Sequence, residues 1–167
     1  MASPVSLAHG SYDALFVHWI SRYCFGVGHG LRVTTNTTLF LGDSTYSRII
    51  ALFRPTGNER TGREYLEQLP MLVIEISHSS KSYDLGPKMA AYQSAGLCDY
   101  ITVLLEEQRV EWRVLSGSRY RLLEPQPDQI LRSPSVPGFW LDTTALFPVD
   151  EKRLFAAVDH GLGSQPR

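Results

Sequence analysis

The chain has 167 residues, a length that holds one domain around one hydrophobic core. With 43% hydrophobic residues, 20% charged residues and a formal net charge of -1, it is neither globally disordered nor polybasic. Indiscriminate adhesion to nucleic acid is therefore excluded, while a local basic groove is not.

Cys24 and Cys98 sit in segments that read as buried, with no C-x-x-C pair and no Cys/His metal spacing. A disulfide scaffold and a structural zinc site are set aside, and reduced thiols point to a cytoplasmic setting. The longest apolar stretches, such as Met71 to Ile76, fall far short of the roughly 20 residues of a spanning helix. Met1 to Ser6 lacks the basic region and apolar run of a signal peptide.

Tyr12, Leu15, Phe16, Trp19, Ile20 and Tyr23 recur at helical spacing and predict a first helix that Gly26 and Gly28 end. Arg32 to Thr35 and Thr37 to Leu41 read as strands, with Asn36 marking a bulge or bend between them. Gly42-Asp43-Ser44 is a turn, and Ile49 to Phe53 is a short interior strand. Pro55 to Glu67 is loop-like, with a helical turn around Glu64. Met71 to Ile76 is apolar on both faces, as a central strand covered on both sides must be. Asp84 is placed to cap a helix reaching Ala95, with Gly96 as its terminating glycine. Tyr100 to Leu105 and Arg109 to Leu115 form a hairpin, and Arg119 to Leu123 adds a third strand. Pro125, Pro127, Pro134 and Pro137 interrupt the segment after that strand. Asp150 to His160 is a final amphipathic helix with Leu154, Phe155 and Val158 inward. The expected organisation is one domain over residues 1–160 with a flexible tail over 161–167: α/β or α+β, a mixed sheet with helices on its faces.

Glu75 demands an explanation, because a carboxylate inside an apolar strand is costly unless it is paired or holds a metal. Thirteen positions on, Lys88 shares the inward face of its helix with Leu85, Met89 and Tyr92. Two readings stand side by side. One is a half-buried structural ion pair. The other is a hydrolase site in which a strand carboxylate binds magnesium, the metal activates a water, and the lysine orients that water or stabilises developing charge. The second reading needs another acidic ligand on a neighbouring strand.

Val73-Ile74-Glu75-Ile76-Ser77-His78-Ser79-Ser80, with Tyr83-Asp84, Lys88, Tyr92 and Ala95-Gly96-Leu97 after it, resembles the core signature of the Uma-two family of restriction endonuclease-like proteins. The resemblance extends to Ser3-Pro4-Val5-Ser6 with His9-Gly10, to Leu39 to Pro55, and to Pro137-Gly138-Phe139-Trp140-Leu141 with Ala145-Leu146-Phe147. It implies the PD-(D/E)XK fold: a mixed central sheet flanked by helices, with a β-hairpin extension. It further implies a DNA endonuclease that hydrolyses phosphodiesters by a water activated on magnesium (or manganese). Carried over by residue, Glu75 becomes the metal-binding catalytic acid. Lys88 becomes the catalytic lysine, moved onto the helix from the strand position that Ser77 occupies, and His9 an accessory catalytic residue.

Three departures qualify the activity. The family's Pro-Asp pair corresponds to Arg48-Ile49, so an isoleucine stands where the first acidic ligand belongs; Asp43, six residues upstream, is a candidate replacement metal ligand. The Tyr-Trp-x-Val-Asp strand reads Tyr100-Ile101-Thr102-Val103-Leu104 and has lost its acid. The strand pair expected before the first helix is missing, so the chain reads as N-terminally short. The implied function is thus an endonuclease, weak or inactive through Ile49. Its alternatives are a non-catalytic nucleic-acid- or protein-binding module, and a truncated product with an exposed sheet edge.

DNA is the expected partner, with no membrane and no nucleotide cofactor; a homodimer, common for this fold, is left open. Gly26-Val27-Gly28-His29-Gly30 lacks the strand-then-helix context of a dinucleotide site, and no phosphate-loop lysine motif exists. Ser79, Ser80 and Ser82 are no nucleophile elbow. His78 lies beside the candidate site as a solvated residue or an adventitious ligand, while His18, His29 and His160 receive no role. Trp19 and Trp112 read as core. Arg109, Arg113, Arg119 and Arg121, on adjacent strands, either follow a phosphate backbone or form a solvated edge.

Overall fold

Ser6 opens the first helix, α1 (Leu7–Val27), by accepting a hydrogen bond from the His9 backbone N–H at 3.2 Å. In this computed structural model, which describes residues 6–28, 30–56 and 65–165, Gly28 closes α1 at φ 92°. The expected stripe is buried at Leu15, Phe16, Trp19, Ile20 and Tyr23, while Tyr12 is half-buried and donates its hydroxyl to the Leu146 carbonyl at 2.8 Å.

Six strands form one mixed sheet in chain order: β1 (Arg32–Leu41), β2 (Ser44–Phe53), β3 (Leu72–Ser77), β4 (Asp99–Leu104), β5 (Arg109–Ser116) and β6 (Arg119–Leu122). Only β3 and β4 run parallel among these pairs. A parallel pair needs a crossover. Here it carries α2 (Lys81–Tyr83), a π-helical turn (Asp84–Lys88) and α3 (Met89–Ala95), which ends at left-handed Gly96 as expected. A small second sheet pairs β7 (Ile130–Arg132) with β8 (Trp140–Asp142), and α4 (Glu151–Gly163) packs beside α1, linked to it by the Arg22–Asp159 pair at 2.6 Å. The architecture is thus α+β, a mixed sheet flanked by helices, with β5–β6 as the hairpin extension.

Strand alternation divides the core between two faces. Ile50, Leu52, Leu72, Ile74, Ile101 and Trp112 pack with the buried stripe of α1 and with Leu154 and Val158 of α4. Ile49, Ala51, Val73 and Tyr100 pack on the other face with Tyr92 and Leu97. All six residues of β3 are buried, as a strand with a helix layer on each side requires. Trp19 and Trp112 are core residues, both packed on Phe139.

Several expectations change. The two strand segments around Asn36 are one strand, interrupted by a bulge at that residue. A second bulge lies opposite, in β2: Thr34 pairs with Ala51, Thr37 with Ile49 and Leu39 with Tyr46, so each strand carries one extra residue. Asn36 and Arg48 take left-handed φ values of 52° and 61° at these two sites. The helix after β3 starts at Lys81 behind Ser80, which places Asp84 inside it instead of at its cap. The last helix runs on to Gly163, past the expected start of a tail at 161, because Gly161 is buried against Gly138 and Trp140. Cys98 is exposed, not buried, and Cys24 is half-buried; both are free thiols. Part of the outer edge of β1 is covered, since Leu66 exchanges backbone hydrogen bonds with Thr38 and Phe40 at 2.9 and 3.0 Å. Among the described residues no helix is long and apolar enough to cross a membrane. The helical turn expected around Glu64 and the loop position of His29 lie outside the described residues.

Candidate functional site

Val73, Glu75 and Ser77 alternate onto the sheet face that the crossover covers, at the end where β3 and β4 finish. The Glu75 carboxylate is buried there. Its Oε1 accepts the Tyr92 hydroxyl at 3.0 Å and lies 3.1 Å from Lys88 Nζ. The same ammonium is 2.8 Å from Asp84 Oδ1. Asp84 Oδ2 accepts the hydroxyls of Ser77 and Ser80, the latter at 2.5 Å, and the Tyr100 hydroxyl donates to the Asp84 carbonyl at 3.0 Å.

The crossover delivers these groups by spacing. Asp84, Lys88 and Tyr92 stand four residues apart, which puts them on one helix face. Gly86 leaves helical geometry (φ -113°, ψ -106°) just before Pro87, and the resulting kink lies between Asp84 and Lys88.

Two carboxylates therefore share one ammonium. Burial pushes the Glu75 carboxyl up to about 7; Lys88 opposes that rise and Asp84 adds to it. Burial also disfavours the charged lysine, yet the two carboxylates hold its pKa above the ordinary value. Burial raises the Tyr92 hydroxyl further, so it stays a neutral donor.

These residues do not fit the magnesium ion that the fold implies. Magnesium wants several hard oxygen ligands in octahedral array. Lys88 already occupies the cation position between Glu75 and Asp84. Ile50 pairs with Ile74 and Ala51 with Val73, and continuing that register sets Ile49 against Glu75 on the neighbouring strand. Ile49, at the position where the resemblance implies a second ligand, is fully buried and apolar. Asp43 does not come to the site: it is exposed in the β1–β2 turn, six residues from Ile49 along a strand, up to about 20 Å of extended chain. Among the described residues no group of three or more His, Cys, Asp or Glu side chains is placed to hold a metal.

His9, half-buried in the first turn of α1, is close enough to the site to feel its charges. Partial burial lowers its pKa; Asp13 and Asp84 oppose that shift, and Arg48 and His78 reinforce it. His78 is exposed and lies 3.8 Å from Glu106. His18 is exposed on α1, and the His160 ring packs against Trp140. The four hairpin arginines do not form one track. Arg109 and Arg113 both pair with the buried Glu111, and alternation sends Arg119 and Arg121 of β6 to the opposite face from Tyr120, which packs toward the crossover.

The family model described as "Uma2: Putative restriction endonuclease" matches residues 1–144, which takes in the whole six-stranded sheet and the crossover. The chain belongs to the Uma2 family. A solved structure from Anabaena variabilis, described as a "putative nuclease belonging to DUF820", is similar to it at 16% identity and a TM-score of 0.64, over 94% of this chain and 84% of that one. That likeness carries the fold. A search of curated proteins gave no match.

In this Uma2 chain, Glu75 and Lys88 meet as the sequence suggests. Asp84 does not stand out in the sequence as a site residue, because an acid at a helix start has a sufficient explanation as a cap; its position four residues before the inward lysine is the available signal. Glu111 is missed although its partners Arg109 and Arg113 stand two residues away on either side, a strand alternation that is the available signal.

Proposed function

We propose that this Uma2 chain binds DNA at the end of the sheet where β3 and β4 finish, and that it hydrolyses phosphodiesters weakly or not at all. Membership of the family and the nuclease-like fold support nucleic acid as the partner. The position outside the carboxyl ends of parallel strands is where α/β sheets bind ligands. One observation carries the loss of activity: the Glu75 carboxylate is paired with Lys88, and the β2–β3 register, continued past Ile50–Ile74, sets apolar Ile49 against it. In this reading Glu75, Asp84 and Lys88 form the floor of the site, two carboxyl groups about one ammonium. Tyr92, Ser77 and Ser80 hold that floor in place by hydrogen bonds, and His9 borders it.

The test is incubation of supercoiled plasmid with magnesium or manganese, running Ile49→Asp and Glu75→Gln beside the parent, with DNA retention measured on the same samples. The parent should retain DNA without nicking it, and Ile49→Asp should gain metal-dependent nicking. Nicking by the parent that vanishes in Glu75→Gln overturns the loss of activity, and failure of the folded parent to retain DNA overturns the partner.

A further inference from the structure

Ion pairs gather at the end of the sheet where β3 and β4 finish, and most of them are matched or acidic. Lys88 serves both Glu75 and Asp84. Lys81 pairs with Glu107, and His78 lies 3.8 Å from Glu106. On β5 the balance runs the other way. Arg109 and Arg113 each donate to a different oxygen of the Glu111 carboxylate, two guanidinium charges about one acid. Among these paired clusters, the one on β5 carries a surplus of positive charge.

The two arginines are not equivalent. Glu111 is buried, and the Arg113 side chain is 17% exposed against 55% for Arg109. Stripping a buried carboxylate of its partners is costly, but one that keeps a largely buried guanidinium stays matched. Arg109 can therefore leave Glu111 while Arg113 remains, and the surplus charge belongs to the residue that a ligand reaches. Strand register sets where that charge stands. Ser77 pairs with Leu104, and Leu104 with Arg109, so Arg109 shares a row and a sheet face with Ser77, whose hydroxyl donates to Asp84. Two strand spacings, about 10 Å, separate the backbones of Ser77 and Arg109. The adjoining row runs Glu75, Thr102, Glu111 across the same three strands.

A guanidinium grips a phosphate bidentately, with the same fork that it offers a carboxylate. Taking the proposed DNA partner as its basis, we infer that Arg109 holds the DNA backbone at this site, exchanging its Glu111 oxygen for a phosphate. Arg113 is the positioning residue of that exchange: it keeps Glu111 neutralised while Arg109 is away. Lys81 lacks such a standby, because its charge is offset one for one by Glu107. The exchange needs no divalent cation.

Fluorescence anisotropy of a labelled DNA duplex in EDTA, over a series of potassium chloride concentrations, tests this. Arg109→Gln should weaken binding about fivefold at low salt and flatten the logarithmic salt slope by about 0.9, one duplex phosphate's share. Glu111→Gln frees Arg109 in advance and should tighten binding about threefold, a gain that disappears when Arg109→Gln is added. Arg119→Gln, an exposed position on β6 whose side chain alternates to the other face, is the control and should match the parent. Arg109 is exposed, so its variant keeps the fold and decides the matter even where Glu111→Gln does not fold. If Arg109→Gln binds with the parent's affinity and slope, or Arg119→Gln loses as much, the role of Arg109 is wrong while the DNA reading stands. A Glu111→Gln gain that persists without Arg109 overturns the exchange in the same way. If the folded parent binds no duplex even at low salt, the DNA reading itself fails and takes this inference with it.

Discussion

Continued one residue past the Ile50–Ile74 pair, the β2–β3 register sets Ile49, a fully buried apolar side chain, against the buried carboxylate of Glu75. Neither residue is out of place for packing: Ile49 joins Tyr92, Val73 and Tyr100 in the cluster under the crossover. The consequence is chemical. The positions beside it in the sheet are Ile49, by the continued register, and Thr102, neither of them acidic, and the carboxylate pairs with Lys88 on the helix above.

That dependence makes Lys88 the most sensitive charge in the chain. Lys88→Met leaves Glu75 and Asp84 buried without a counter-charge, at a cost of about 3–5 kcal/mol. Guanidinium unfolding at pH 8 measures it. Adding Glu75→Gln to the same chain should recover a large part of the loss, because the two groups act as one unit. Two fully additive losses would show that the pair is not coupled.

Stability should also vary with pH through Glu75. Its carboxyl titrates at about 7 in the folded chain against an ordinary value of 4.5, so the folded chain holds a proton that the unfolded chain gives up across that interval. The associated stability is complete below pH 4.5 and is lost as the pH rises through 7, a change of about 3 kcal/mol. Urea midpoints should fall over that range in the parent and stay flatter in Glu75→Gln. Equal slopes in the two proteins would assign the effect to other groups.

A second buried acid anchors the opposite end of β4. Asp99 accepts the Trp112 indole N–H at 2.7 Å and the Ser133 hydroxyl at 2.5 Å, which ties the sheet to the segment before β8. Trp112→Phe keeps an aromatic ring but leaves that oxygen short of a donor, for a loss of about 1–3 kcal/mol in chemical unfolding. Ser133→Ala removes the other donor to the same oxygen, together with the acceptor of the Ser135 backbone N–H, and should cost a similar amount.

Two glycines near the end of α4 should respond with opposite signs. A Cβ on Gly161 would lie 2.2 Å from the Gly138 carbonyl oxygen and 2.9 Å from Trp140, so Gly161→Ala must push the helix off the body, at about 1–3 kcal/mol or more. A Cβ on Gly163 meets nothing within 4 Å, and Gly163→Ala gains up to about 1 kcal/mol of helix propensity. Thermal melts of the two variants check the contrast directly.

What the residues disclose tracks the range of the interactions involved. The α1 stripe and β3 are readable because burial writes itself into spacing: Leu15, Phe16 and Trp19 recur with the helix turn, and Leu72 to Ile76 is apolar but for Glu75. Glu75 and Lys88 stand out because each breaks such a pattern. The three-residue strands Ile130–Arg132 and Trp140–Asp142 are illegible, since three residues show no alternation and prolines surround them. Asp84 is visible but has a simpler reading as a cap. Asp43 is the nearest acid upstream along the chain, yet distance along an extended strand is distance in space, and it ends at the wrong end of the hairpin.

The twin bulges of the first hairpin have a bearing on how this sequence can change. Thr34 opposite Ala51 and Leu39 opposite Tyr46 belong to the same frame, because the extra residue near Asn36 is answered by one near Arg48. Deleting either residue alone slides the outer half of the hairpin by one position and turns buried Leu39 or Tyr46 toward water. Deleting both restores the frame. Length variation in this hairpin is therefore expected to arrive in matched pairs, one insertion in each strand, and an unmatched one marks a chain whose Gly42-Asp43 turn has been rebuilt to absorb it.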